Sequence, residues 1–230
     1  MFERKEKEIE FAIEFDFHEV LQPAKKYIPD WYKRNPHRIE GSPIAYETMK
    51  QCVPFLESMT NGYMATLWCD IYVDRTPDNK IDIKWKSRLQ RPPIEPREIA
   101  GTEELVPPAG HSPQRFAFHI PYYVRTPKNY SCLITHPFNR YDLPFTTLTG
   151  IVDTHEVMYA GNVPFFIKSD FVGLIPKGTP IFQLIPFAKE SWLSKENSKL
   201  IELGRTNERK SMAVFAGWYK NNVWQKKTYS

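Results

Sequence analysis

The side chains of this chain that could do chemistry are a carboxylate ending an apolar run, an amide alone in an apolar strand, and a scatter of histidines. Asp153 follows Gly150, Ile151 and Val152 in the stretch LTGIVDTHE (148–156). A strand ending there would project the carboxylate into a cleft. Gln183 sits inside PIFQLIPF (180–187), and an amide in apolar surroundings is costly to bury unless its donors and acceptor find partners. It either bridges neighbouring backbone edges or contacts a ligand. His111, His119, His136 and His155, with Asp153 and Glu156, raise the question of a divalent metal. Iron and zinc sites usually take an HxH or HxD pair from one strand, and the sequence has neither. That leaves His119, His136 and His155 as weak candidates that would have to converge from separate strands; the alternative places them in loops and at the core edge. No GxGxxG, P-loop, GxSxG or HExxH occurs, and Cys132 has no arrangement marking it as a nucleophile.

The elements that must position these residues are mostly strands. Ile9, Phe11, Ile13, Phe15 and Phe17 alternate with Glu10, Glu14 and Asp16, which is the period of a half-buried strand. Further strands are expected over 63–73, 80–86, 115–125, 130–135, 145–152, 162–168, 172–175 and 180–187. A helix fits 45–59, with Met49, Cys52, Val53, Phe55, Leu56 and Met59 on its apolar side. Pro54 would kink it or mark its first turn. Residues 87–114 read as a long proline-rich loop. After Trp192 the composition changes to a polar helix over 195–212, capped by Ser194, and then an aromatic basic tail.

Composition bounds these readings. The chain has 230 residues, with 41% hydrophobic and 14% aromatic content, which is enough for one large core. Twenty prolines against ten glycines favour short strands and rigid connections over a bundle. The fold expected is mainly β: an antiparallel sandwich or β-clip-like domain over 1–192 with a few peripheral helices, then a C-terminal helix and tail over 193–230. Phe116, Phe118, Ile120, Leu133, Ile151, Phe165, Ile181 and Leu184 are its expected core. Three cysteines without a CxxC read as buried thiols in a reducing compartment. The charged start MFERKEKEIEF lacks the apolar stretch of a signal peptide, and no run is long enough to span a membrane as a helix. The net charge of +4 resides in residues 201–230, where six basic residues face two acidic ones. That tail could touch phosphates and bases, or dock its aromatics on another chain; docking is the expectation.

Several segments resemble known families. GIVD (150–153), Tyr159, Gly161 and KGTPIFQLI (177–185) resemble the later motifs of the dUTPase and dCTP deaminase superfamily, as TPKNYSCLI (126–134) resembles the strand before its phosphate motif. The resemblance implies a β-clip fold. It also implies Asp153 holding sugar and attacking water, Tyr159 beneath a base, and Gln183 near phosphates. The place of the Arg-Ser phosphate motif is taken by THPFNR (135–140), which leaves Asn139 and Arg140 as donors, and Thr179 replaces an acidic residue. More of the chain resembles an uncharacterised family of tailed phages of the T4-like group: IPDWYK (28–33), residues 52–73, TPKNYSCLITHPFN (126–139), LTGIVD (148–153) and residues 175–192. Together these imply a phage-encoded, non-enzymatic protein, a virion or accessory assembly component in the host cytoplasm or the virion. It would need no cofactor and would bind a protein partner or its own copies through the tail. A nucleotide enzyme of the dUTPase or deaminase type and a metal-dependent enzyme are the alternatives.

Overall fold

Prolines and short polar turns cut the β region into strands of between two and nine residues. The computed structural model describes residues 7–13, 21–37, 39, 48–87, 91–97, 105–156, 158–159, 162–213 and 217–230. The first eight strands are β1 (Glu10–Ile13), β2 (Leu21–Pro23), β3 (Tyr63–Thr66), β4 (Ile71–Arg75), β5 (Ile81–Trp85), β6 (Ile94–Pro96), β7 (His111–His119) and β8 (Tyr122–Arg125). They are followed by β9 (Tyr130–Thr135), β10 (Phe145–Thr147), β11 (Gly150–Asp153), β12 (Met158–Tyr159), β13 (Asn162–Lys168), β14 (Gly173–Ile175) and β15 (Pro180–Ala188). The α-helices are α1 (Asp30–Arg34), α2 (Val53–Thr60), α3 (Lys199–Met212) and α4 (Trp218–Asn222).

The strands form four sheets, in the orders β11-β9-β15-β3-β2, β10-β13-β7-β6, β1-β8-β12 and β14-β4-β5. Every pairing among the described residues is antiparallel. The mainly β, sandwich-like class expected from the sequence is what the chain adopts. One core takes side chains from all four sheets. At its centre Phe118 stacks on Phe165 with ring centroids 3.8 Å apart, and Phe145 meets both edge-on. Phe182, Leu184 and Ile134 face them from the five-stranded sheet. Burying each such side chain contributes about 1.5–3 kcal/mol.

Several expected strands break where the chain changes sheets. The strand expected over 63–73 divides into β3 and β4. The corner between them is tied down by Leu67 N–H donating to Thr179 O and Gly178 N–H donating to Leu67 O, both at 2.8 Å. The 115–125 strand divides at Ile120 and Pro121, and its first part starts earlier, at His111. The 145–152 strand divides into β10 and β11, which belong to different sheets. The proline-rich stretch 87–114 is not all loop, because β6 pairs with β7 there. Of the first strand, residues 10–13 pair with β8, and Phe15 and Phe17 of its expected apolar face lie outside the described residues.

Of the expected core, Ile151 is on the surface, 66% exposed on the edge strand β11, and Leu133 is half-buried; the other six are buried. Cys69 and Cys132 are buried, whereas Cys52 is exposed. Of the helix expected over 45–59, residues 45–47 lie outside the described residues; Met49–Gln51 form a 3-10 turn, and α2 starts at Val53 with Pro54 in its first turn. α2 ends against Gly62, whose φ is +71°. A Cβ there would lie 2.2 Å from Leu184 O, so the close approach of α2 to β15 admits only glycine.

Candidate functional site

Gln183 and Asp153 both lie on the five-stranded sheet, but not together. Gln183 pairs with Thr135 on β9, while Asp153 pairs with Ser131 of the same strand. Four residues of β9 separate them, roughly 13 Å at strand spacing, and they sit two strands apart. Gln183 is fully buried. Its Nε2 donates to Ser58 O at 2.8 Å and Asn61 O at 2.5 Å, and its Oε1 accepts from Phe138 N–H at 3.2 Å. Ser58 O is among the last carbonyls of α2, which have no partner within the helix. Gln183 therefore caps α2 from a strand 125 residues away in sequence, and its amide is spent on that task.

Asp153 is exposed at the end of β11. Lys189 Nζ at 2.6 Å and Ser131 Oγ at 2.7 Å both donate to it, and together they hold its carboxylate below the usual range. A carboxylate so stabilised in its charged form is a weak base. Tyr159 lies on β12, in a different sheet. The donors expected for phosphate are also engaged: Asn139 Nδ2 donates to Ser58 Oγ at 2.9 Å, and Arg140 grips Asp142 through Nε at 2.8 Å and Nη2 at 2.9 Å.

The histidines are dispersed. His136 Nδ1 accepts from Thr147 N–H, which places the proton on Nε2, facing Arg140 O at 3.1 Å; burial pushes its pKa below the ordinary value. His119 Nε2 lies 2.9 Å from Glu95 Oε2, at an angle that does not make a hydrogen bond. Asn162 Nδ2 donates to the other oxygen of Glu95 at 2.6 Å. His155 is exposed. Among the described residues no group of three His, Cys, Asp or Glu side chains converges to hold a metal ion. Cys69 and Cys132 are each pushed up to about 11 by burial, so neither thiol ionises readily near neutral pH.

A concave feature that collects polar groups lies elsewhere, between α2 and the C-terminal tail. α2 directs Phe55 toward Trp31 and Tyr32, buries Met59, and spends Ser58 on Gln183 and Asn139. Its opposite face, Val53, Leu56, Glu57 and Thr60, follows the i, i+3, i+4, i+7 pattern of one helical side. That face is one wall of a groove of about 770 Å³. The tail is the other wall and is tied down at four places. Trp224 Nε1 donates to Glu57 Oε2 at 3.1 Å, and Lys227 Nζ pairs with the other oxygen of Glu57. Tyr229 OH meets Asn61 Oδ1, and Lys25 Nζ donates to Tyr229 O at 3.0 Å. Tyr229 also packs edge-on against Tyr63, with centroids 5.8 Å apart.

The end of the tail thus folds onto its own body, where the sequence led us to expect it on another chain. Trp224 and Tyr229 are half-buried against Glu57, Asn61 and Tyr63 of the same chain. The helix before it behaves differently. α3 has no buried residue, and Trp192, Leu193, Leu200, Ile201, Leu203 and Met212 are 57–95% exposed. Its first turn starts at Lys199 rather than near Ser194, with Asn197 Oδ1 accepting from Lys199 N–H at 3.2 Å.

The groove was missed by sequence reasoning, although two signals pointed to it. Pro54 marks a helix start, which fixes the face shared by Val53, Leu56 and Glu57, and the cations cluster in the tail. Their meeting depends on a chain return of about 170 residues that no local pattern encodes. Comparison with protein-family models and with curated proteins finds no match.

Proposed function

We propose that this chain is a non-enzymatic binding and assembly protein that joins other protein chains through its helical arm, residues 192–213. The observation that carries this reading is the arm's exposure: six large apolar side chains stand in water on a segment with no core of its own. Patches of this kind on soluble proteins mark contact surfaces. Leu200 and Leu203, three apart on α3, with Ile201 beside them, suit a helix laid into an apolar groove of a partner. The resemblance to a tailed-phage family supports placing that partner among phage proteins, in the virion or during its assembly in the host cytoplasm. The commitment of Gln183, Asn139, Arg140 and Asp153 to protein contacts favours this reading over a nucleotide hydrolase.

Light scattering on the full chain across a concentration series tests it. The mass is expected to rise above the 27.1 kDa of one chain, and Leu200→Glu with Leu203→Glu should return it to the monomer with an unchanged Tm. A monomer at every concentration, together with an arm variant no more soluble than the original chain, overturns the reading.

A further inference from the structure

The groove between α2 and the tail carries a charge that its described residues do not balance. Among the described residues its rim carries Lys25, Lys50, Lys220, Lys226 and Lys227, with His37 beside them, against a single carboxylate, Glu57. Glu57 is already occupied by Trp224 and Lys227. Lys25 and Lys50 each donate to a backbone carbonyl, Tyr229 O at 3.0 Å and Lys33 O at 2.7 Å, which neutralises neither charge. Lys220 and Lys226 have no hydrogen bond or ion pair to any described residue. Cations gathered this closely repel one another, and a groove lined with one sign of charge concentrates the opposite ion. The floor differs in kind: Ile28, Val53, Leu56 and the half-buried ring of Trp224 are apolar, and Gln51 and Asn221 add amides at the margin. Its volume is within the range of small-ligand sites.

From this pairing of ammonium groups with an apolar, indole-bearing floor, we infer that the groove binds a nucleoside phosphate, either free or as one unit of a single strand. The phosphate would meet Lys220 and Lys226, the two cations with no hydrogen bond or ion pair to a described residue. The base would lie on the apolar wall of α2 and Trp224, where stacking tolerates any base because each has a flat face. An inorganic anion would use the lysines and leave the floor in water. An apolar ligand would leave the lysines unmatched. Only a ligand with both parts uses the whole groove. The site shares no residue with Asp153, Gln183 or the exposed arm, so it stands or falls separately from the assembly role.

The test is isothermal titration of the full chain at low salt with three probes: ATP, inorganic pyrophosphate and a ten-residue oligothymidylate. ATP and the oligonucleotide should bind, with pyrophosphate at least tenfold weaker. Lys220→Gln with Lys226→Gln should weaken binding about a hundredfold if each lysine is worth a factor of about ten, with an unchanged Tm. Equal affinity for ATP and the oligonucleotide identifies the free nucleotide as the ligand. A tenfold preference for the oligonucleotide, with affinity falling as salt rises, identifies the strand. Pyrophosphate binding as tightly as ATP, binding indifferent to the double substitution, or no heat with any probe at millimolar concentration overturns the proposal.

Discussion

Replacing Gln183 by leucine tests whether its amide is a structural tie. The side chain is fully buried and makes three hydrogen bonds, to Ser58 O, Asn61 O and Phe138 N–H. Leucine has nearly the same reach and fills the space, so the cavity contribution is small. What remains is three backbone groups deprived of partners. Leaving such a group unmade costs about 1–3 kcal/mol; because the two carbonyls sit at the part-buried end of α2, the low end applies, giving a loss of about 3 kcal/mol. For a chain of this size about 2–4 °C of Tm accompanies each kcal/mol, so Gln183→Leu should melt roughly 6–12 °C lower by differential scanning calorimetry. Gln183→Glu separates the amide's donors from its shape. At neutral pH a carboxylate would face two carbonyls and should be worse than leucine. Acidification should narrow the gap, because a protonated acid recovers one donor and burial raises the pKa at which it forms. A Tm for Gln183→Leu within about 2 °C of the original, or a glutamate variant as stable as the leucine one at pH 7, would refute the tie and restore Gln183 as a group held for a ligand.

Other outcomes follow from the same geometry. His136 has a folded pKa below its ordinary 6.5, so the unfolded chain binds its proton first as pH falls; the stability it contributes is complete above 6.5 and is lost on acidification below that value. His136→Asn, which keeps an acceptor for Thr147 N–H, should flatten this part of the profile in urea titrations between pH 7.5 and 5, and a parallel profile would show that His136 does not titrate there. Native protein at pH 7.5 should react with a thiol reagent once, at Cys52, and three times when unfolded; rapid native labelling of Cys69 or Cys132 would contradict their burial. Purified chain should leave dUTP and dCTP intact, and Asp153→Asn should leave Tm unchanged; turnover abolished by that substitution would reinstate Asp153 as a catalytic group.

The legible part of this fold was the part encoded locally. Apolar-rich runs located β9, β13 and β15 closely, because each buries most of its side chains. The strands expected without a break over 63–73 and 145–152 hid a change of sheet, since strand-forming residues on both sides of a corner read the same as one straight strand. Ile151 looked like core for the same reason, yet β11 is an edge strand with one neighbour. Gln183 was recognisable as a side chain that needs partners. Its partners were not, because they are the end of α2 and the turn after β9, joined by chain return. The tail's aromatics announced a docking surface without saying on which body.

The excursion from Ala188 to Trp224 begins at the end of β15 and closes on α2 and Tyr63, which belongs to β3, the neighbour of β15. Both ends of the excursion are therefore held beside the β3–β15 pair, and none of its described residues is buried. Closing a flexible loop grows more costly only slowly with length, by about 0.6 kcal/mol for each doubling. A lineage could lengthen, shorten or replace the arm while the sheets beneath stay as they are. An engineer has the same freedom: a foreign domain spliced between residues 190 and 222 would be displayed at a fixed place, clasped by the returning tail.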